Sequence, residues 1–393
     1  MVSRPLVLVA LTAEDGIVGH GEAAPLPEYD GVTIEAVLGA VERYRPLLER
    51  CGPAVDRYGP AVERYGPAVE RYGPAVERYG PAVERCEPEV GHETPPLGRP
   101  RDLTHEQILT ACAALDPLPQ ALAAVDLALW DLAGQRAGQP VWELLGGRSS
   151  DPITVNATIG SVTPRDAADE AAAAARAGFT CVKVKVGTPD DRQRLAAVRD
   201  AVGPDVLIRV DANGAWDQLT APERIRALSR FDIELFEEPV HGVSAVQDVA
   251  RQVPGASLAL DESAAMALGP RAREASGPDA QRVCDSLCLK VAACGGITGL
   301  IADATRAREL GYQVYLASTL DGPLGIAAAL HAAAVVGPDR QCGLATLDRF
   351  DREPPLRSVE GTMALPAGPG LGDGLLAWYD AGPEPPTAAD GLT

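Results

Sequence analysis

From residue 153 onward the chain repeats one pattern. A short apolar run with period-two alternation precedes about 10–15 residues at helical spacing, and the cycle returns about every 25 residues. The runs are ITVNATIG from 153, CVKVKVG from 181, VLIRVDANG from 206, IELFEEPV from 233, SLALDES from 257, SLCLKVA from 286, YQVYLAST from 312 and CGLATL from 342. Eight strands alternating with helices predict a TIM-type α/β barrel. In the second run the valines at 182, 184 and 186 take one face. Lys183 and Lys185 take the other, roughly 7 Å apart. Lysine is seldom buried without a partner, so two ammonium groups aimed inward call for anions.

Before residue 150 the pattern differs. Residues 5–29 read as a hairpin, LVLVALTAEDG then IVGHGEAAPLP, around a turn at Asp15-Gly16. TIEAVLGAVERYRPLLER, from 33, has amphipathic helical spacing. Residues 52–86 then hold five near-identical copies of a seven-residue unit, GPAVERY. A period of seven suggests a coiled coil, but each Gly-Pro breaks a helix at a cost of ~3 kcal/mol. Short helical turns or a mobile loop are expected instead, within a tolerated insertion at about 52–100 that carries no chemistry. Helical spacing resumes at 104 and stops at Gly146-Gly147. The expected divisions are 1–150, a barrel over 151–345, and a C-terminal segment over 346–393.

Composition narrows the partners. The formal net charge is −20, which argues against nucleic acid or an anionic membrane surface. No apolar run approaches the ~20 residues of a membrane span, and no signal peptide is read at the start. A cytoplasmic protein acting on a small molecule is expected. The eight cysteines contain no CxxC pair and are expected to be reduced. Cys284 and Cys288 lie four apart, but a zinc reading lacks a second half-site and nearby histidines.

The chemistry-bearing residues fall at strand ends, where barrel enzymes keep their sites. Lys183 and Lys185 end the second strand, Asp211 the third, Glu237 the fourth, Asp261 the fifth and Lys290 the sixth. From Lys185 the steps are 26, 26, 24 and 29 residues, one strand-helix unit each. Three carboxylates converging on one point repel, and a hard divalent cation such as Mg²⁺ resolves the repulsion. A dication and a second lysine both disfavour the charge on Lys185, which suits it to act as a base. Lys290 lies across the barrel. Two lysines on opposite faces of a bound carboxylate suggest removal of its α-proton, with a metal-stabilised enolate. The plainer reading is a salt-bridge cluster.

These motifs, KVK at 183–185, DAN at 211–213, EEP at 237–239, DES at 261–263 and LKVAACGGI at 289–297, resemble the enolase superfamily and its muconate-lactonizing-enzyme subgroup. The resemblance covers nearly the whole chain outside about 52–100. It implies a modified (β/α)7β barrel with an α+β capping domain in residues 1–150, to which the C-terminal segment returns. It implies Asp211, Glu237 and Asp261 as Mg²⁺ ligands, with Mn²⁺ as the alternative ion. Lys185 and Lys290 become the acid/base pair and Lys183 an electrostatic partner. A small carboxylate substrate and a homo-oligomer are expected. RFDREPPL at 349–356 is similar to an acidic pair that dipeptide epimerases use, so Asp351 and Glu353, with Asp321, are candidate substrate contacts; the plainer reading of the pair is a solvated loop. A racemase or epimerase of an amino-acid or dipeptide substrate is the favoured reaction. An o-succinylbenzoate synthase or a cycloisomerase is the alternative. Family members usually begin with a further strand and a closing loop, about 20 residues that this chain is expected to lack. A lid-less, decayed anion-binding barrel is the non-enzyme reading.

Overall fold

The computed structural model describes residues 3–51, 54–57, 61–64, 103–147, 149–160, 163–268 and 282–380. Strands β1 (Ser3–Thr12) and β2 (Val18–Ala23) form the expected hairpin, with Val7 opposite Ala23. Its turn uses Gly16 at φ 81° and the Asp15 carboxylate, which accepts the Ile17 N–H at 3.1 Å. Helix Ile34–Arg50 follows, capped by the Thr33 hydroxyl on the Ala36 N–H.

The first two GPAVERY units correct the expectation of helical turns or a loop. Their Ala-Val cores form β3 (Ala54–Arg57) and β4 (Ala61–Arg64), both antiparallel to β1. The Gly-Pro breaks prevent a continuous helix, and the four residues of each strand are enough to pair along an open strand edge. The later units lie outside the described residues.

Helix Pro119–Ala137 lies directly on β2. The contact is backbone to backbone: a Cβ on Gly21 would stand 1.9 Å from the Ala124 carbonyl oxygen. Glycine at 19 and 21 is therefore a packing requirement of the hairpin.

The strands of the second half curl into a modified TIM barrel that the hairpin and helices cap. After β5 (Ile153–Thr154) come β6 (Ala157–Ile159), β7 (Cys181–Lys185), β8 (Leu207–Asp211), β9 (Ile233–Glu237), β10 (Leu258–Leu260), β11 (Ser286–Leu289) and β12 (Gln313–Leu316). Strands β6 to β12 pair in parallel in chain order. The run ITVNATIG is divided between two sheets. Its first part, β5, pairs with β14 (Thr362–Met363), which in turn pairs with β13 (Ser358–Val359); its last part, β6, pairs with β7 in the barrel. The eighth expected strand shrinks to two parallel bridges, Val155 with Cys342 and Ala317 with Gly343. Those bridges close the ring: the Asn156 N–H donates to the Cys342 oxygen at 2.9 Å and the Gly343 N–H to the Leu316 oxygen at 2.8 Å.

Alternation sorts the barrel side chains. Val182, Val184, Ile208, Val210, Phe236 and Leu260 belong to the core under the surrounding helices. Leu235, Ala259, Cys288, Tyr315 and Ala317 form a separate cluster on the inner side, with the Arg209 guanidinium over the Tyr315 ring. Among the described residues no helix is long and apolar enough to cross a membrane.

The cap grips the barrel beside Lys290. Helix Ile297–Glu309 starts at Gly296, which has no side chain to cap it. Asp126, fully buried on helix Pro119–Ala137, does so instead. It accepts the Thr298 N–H at 3.1 Å and the Thr298 hydroxyl at 2.6 Å, and it meets His105 Nε2 at 2.7 Å. Asp126→Ala strands these donors, so we expect a stability loss of ~1–3 kcal/mol. Urea unfolding followed by circular dichroism checks it. A change within error would mean that water replaces the carboxylate.

Candidate active site

Strand alternation carries every strand-end residue to the inner rim. Lys183 and Lys185 on β7 point inward because Val182 and Val184 point out. Lys183 Nζ lies 2.8 Å from Asp211 Oδ2 and 2.6 Å from Glu237 Oε1. Lys185 Nζ donates to Asp211 Oδ2 at 2.6 Å and to Asn213 Oδ1 at 2.7 Å. Across the barrel, Lys290 Nζ lies 2.7 Å from Asp261 Oδ1 and 2.8 Å from Oδ2. The anions that the buried lysines call for are thus the three carboxylates at the ends of β8, β9 and β10. Lys185 is the most open of the three, with 28% of its side chain exposed against 10% for Lys183 and 6% for Lys290.

The electrostatics follow from burial and these pairs. Burial raises Asp211, but Lys183 and Lys185 outweigh it and hold the carboxyl well below its usual range. Asp261 is lowered too: Lys290, then Lys183, overcomes its burial. Burial works against the ammonium of Lys183, yet Asp211 and Glu237 hold it well above the lysine range. Lys290 is likewise raised, because Asp261 outweighs its burial. Glu237 is raised by burial, which Lys183 does not offset.

Several rim residues escaped the sequence reading. Glu238 turns back at φ 37° and accepts the Asp261 N–H at 2.8 Å, while the Ser263 hydroxyl donates to its other oxygen. That contact fixes the backbone that carries Asp261. Burial pushes Glu238 up to about 7. Glu262 accepts from Asn213 Nδ2 at 2.8 Å, and burial with Asp261 and Asp211 pushes it up to about 8. Tyr29, in the short helix Pro27–Asp30 after β2, hydrogen-bonds Lys290 through its hydroxyl, and its ring centroid lies 4.0 Å from Lys290 Nζ. Nothing in the local pattern of PEYD signals a partner 261 residues away. Cys288 on β11 stands with Glu237 and Asp261, one ligand atom of each lying within 4.8 Å of the others. Its spacing from Cys284 gave no metal site by itself; inward parity with Lys290, two residues on, is the signal that marks it.

The three remaining candidates lie apart. Asp321 is buried, accepts the Thr319 hydroxyl at 2.7 Å, and lines a small cavity with Glu22, Val291 and Ala292 behind the Lys290 loop. Burial raises it; burial and Asp321 push Glu22 up to about 7. Glu22 accepts the Gly322 N–H at 2.7 Å and the Tyr379 hydroxyl, which joins β2, the loop after β12 and the C-terminal segment. Asp351 and Glu353 are exposed, and Glu353 pairs with Arg357.

The donor set suits a hard cation. Asp211, Glu237 and Asp261 converge with Glu262 beside them, more carboxylate than three lysines neutralise. Glu237 Oε2 and Glu262 Oε2 are buried without a hydrogen-bond partner. A divalent ion offsets that charge and gives such oxygens a partner.

A barrel rim of alternating lysines and carboxylates under an α+β cap defines a class, and sequence comparison agrees. The chain matches the Enolase C-terminal domain-like family over residues 166–375 and the Mandelate racemase / muconate lactonizing enzyme N-terminal domain over 97–146. It belongs to the enolase superfamily, in its muconate-lactonizing-enzyme subgroup. It is 37% identical over 225 residues to an o-succinylbenzoate synthase from Thermobifida fusca, covering 55% of this chain and 67% of that protein. It is 34% identical over 221 residues to a hydrophobic dipeptide epimerase from Enterococcus faecalis, covering 55% and 60%. The crystal structure of the dipeptide epimerase from Enterococcus faecalis V583, complexed with Mg and the dipeptide L-Leu-L-Tyr, superposes with a TM-score of 0.70. That match has 24% identity and covers 94% of this chain and 98% of that one, which shows the shared fold. Relatives of this chain are thus superfamily isomerases and a lyase.

Proposed function

We propose that this chain is an enzyme that removes the proton α to a carboxylate, with Lys185 as the base and Lys290 as a fixed cation. In this reading Asp211, Glu237 and Asp261 hold Mg²⁺, and Lys183 keeps Asp211 and Glu237 together. What a bound Mg²⁺ supplies there is charge, offsetting the negative charge that builds on the substrate carboxylate as the proton leaves. Lys185 is the open lysine, with Asp211 and Asn213 orienting its Nζ. One observation carries the division of labour. Lys290 is ion-paired to Asp261 and covered by the Tyr29 ring, a setting that holds an ammonium in place.

A single base and a fixed cation favour dehydration of the o-succinylbenzoate synthase type. Lys185 takes the α-proton, the bond from the β-carbon to its hydroxyl breaks, and Lys185 returns the proton to the departing oxygen, released as water. Lys290 stays charged throughout. Asp351 is exposed and Glu353 is paired with Arg357, and this reading asks for no anion to meet a free substrate amine. Epimerisation of dipeptides or N-acylamino acids is the second reading, supported by the lysines' placement on opposite sides of the barrel. The test is proton NMR in D₂O with Mg²⁺, offering the synthase precursor, a panel of dipeptides and N-acylamino acids. Turnover of the precursor is expected. α-Proton exchange in the dipeptides without precursor turnover would reverse the choice.

A further inference from the structure

We propose that Cys288 gives this centre a second, thiophilic mode, in which Glu237, Asp261 and the Cys288 sulfur bind a softer divalent ion such as Co²⁺, Zn²⁺ or Cd²⁺. The inference rests on the reading above that Glu237 and Asp261 are metal ligands. It concerns which ions the chain's own residues accept.

Three observations carry it. One carboxylate oxygen each of Glu237 and Asp261 and the Cys288 sulfur lie within 4.8 Å of one another. All three residues are buried, and Glu237 Oε2 has no hydrogen-bond partner. Asp211 pairs with both Lys183 and Lys185, whereas Glu237 and Asp261 pair with one lysine each. Donors at 2.0–2.3 Å from a tetrahedral ion stand roughly 3.3–3.8 Å apart, so closure asks for a shift of about 1 Å. That shift requires Glu237 and Asp261 to loosen their pairs with Lys183 and Lys290 as the ion takes over their charge.

The donor chemistry decides the ion. Mg²⁺ takes oxygen and leaves Cys288 a bystander. A thiolate favours Zn²⁺, Co²⁺ and their heavier relatives. On binding, the thiol proton leaves for solvent, the sulfur–metal bond forms, and the ion gives up a water. The soft ion and Mg²⁺ share Glu237 and Asp261, so they compete. An ion drawn toward β11 lies away from Asp211 and displaces the hard ion from its full carboxylate set.

Co²⁺ titration of the full chain without Mg²⁺ tests this by absorption. The expected result is a near-ultraviolet sulfur-to-cobalt charge-transfer band at one equivalent. It is absent in Cys288→Ser and Cys288→Ala, although the chain's other cysteines remain. By calorimetry, either variant should weaken Cd²⁺ binding by ~10-fold or more and Mg²⁺ binding by less than ~3-fold. Co²⁺ binding without the band, or a band that survives in both variants, overturns the proposal while leaving the carboxylate site intact. Failure of Mg²⁺, Co²⁺ and Cd²⁺ alike to bind overturns this proposal and the metal reading together.

Discussion

Lys185→Arg should abolish turnover as fully as Lys185→Ala, a loss of ~10²–10⁴ or more, whereas Lys290→Arg should keep far more activity than Lys290→Ala. The asymmetry follows from the different jobs that the site offers its two lysines. A base must give up its proton, and a guanidinium does not do so in a protein. Arginine at 185 is therefore no better than alanine. A fixed cation need only stay charged, and arginine does that. Alanine at 290 leaves Asp261 without its ion pair and removes the charge that faces the reacting carboxylate, a loss of ~10²–10³. Arginine keeps both effects apart from the cost of fitting a larger group under Tyr29. Steady-state kinetics on the synthase precursor read the outcome directly. If Lys290→Arg falls as far as Lys290→Ala, and each lysine variant spares exchange from one enantiomer only, both lysines are bases and the enzyme is an epimerase.

Removing Glu237 should have the other large effect. Glu237→Gln keeps the shape but takes away the carboxylate whose Oε2 has no partner. Calorimetry should show Mg²⁺ affinity reduced by ~100-fold or more, above what loss of an outer contact costs. Unchanged affinity in this variant, in Asp211→Ala and in Asp261→Ala would remove the metal assignment. The same cluster makes the metal's effect on stability depend on pH. Glu238 and Glu262 have folded values of about 7 and about 8 against an ordinary 4.5. A raised carboxyl contributes stability below its unfolded value and loses it as pH rises through the folded one. Without a divalent ion, Tm should therefore fall between about pH 4.5 and 8. The gain in Tm on adding Mg²⁺ should grow across the same interval, because the ion stabilises the ionised cluster. Thermal scans at fixed ionic strength, with and without Mg²⁺, check the sign. A gain that shrinks with rising pH would mean that these carboxyls do not feel the ion.

Alternation and spacing by themselves determined the barrel, the inward face of each strand and the rim that Lys183, Lys185, Asp211, Glu237, Asp261 and Lys290 share. Those are local properties: a period of two assigns a face, and one strand-helix unit advances the chain by one position around the ring. Tertiary structure alone decided what depends on contacts between distant segments. The division of ITVNATIG between two sheets is set by a partner strand at 362–363. The collapse of the eighth strand to two bridges is set by ring closure. The first two GPAVERY units became strands because β1 left an edge to pair with, which no reading of their own seven residues supplies. Tyr29 reaches Lys290 only through the seating of the cap, and Cys288 meets Glu237 and Asp261 only because the curl of the barrel brings inward side chains of neighbouring strands together. Sequence carries the direction in which a side chain leaves its strand. Where that side chain ends, and against what, is fixed by how the strands stack and close.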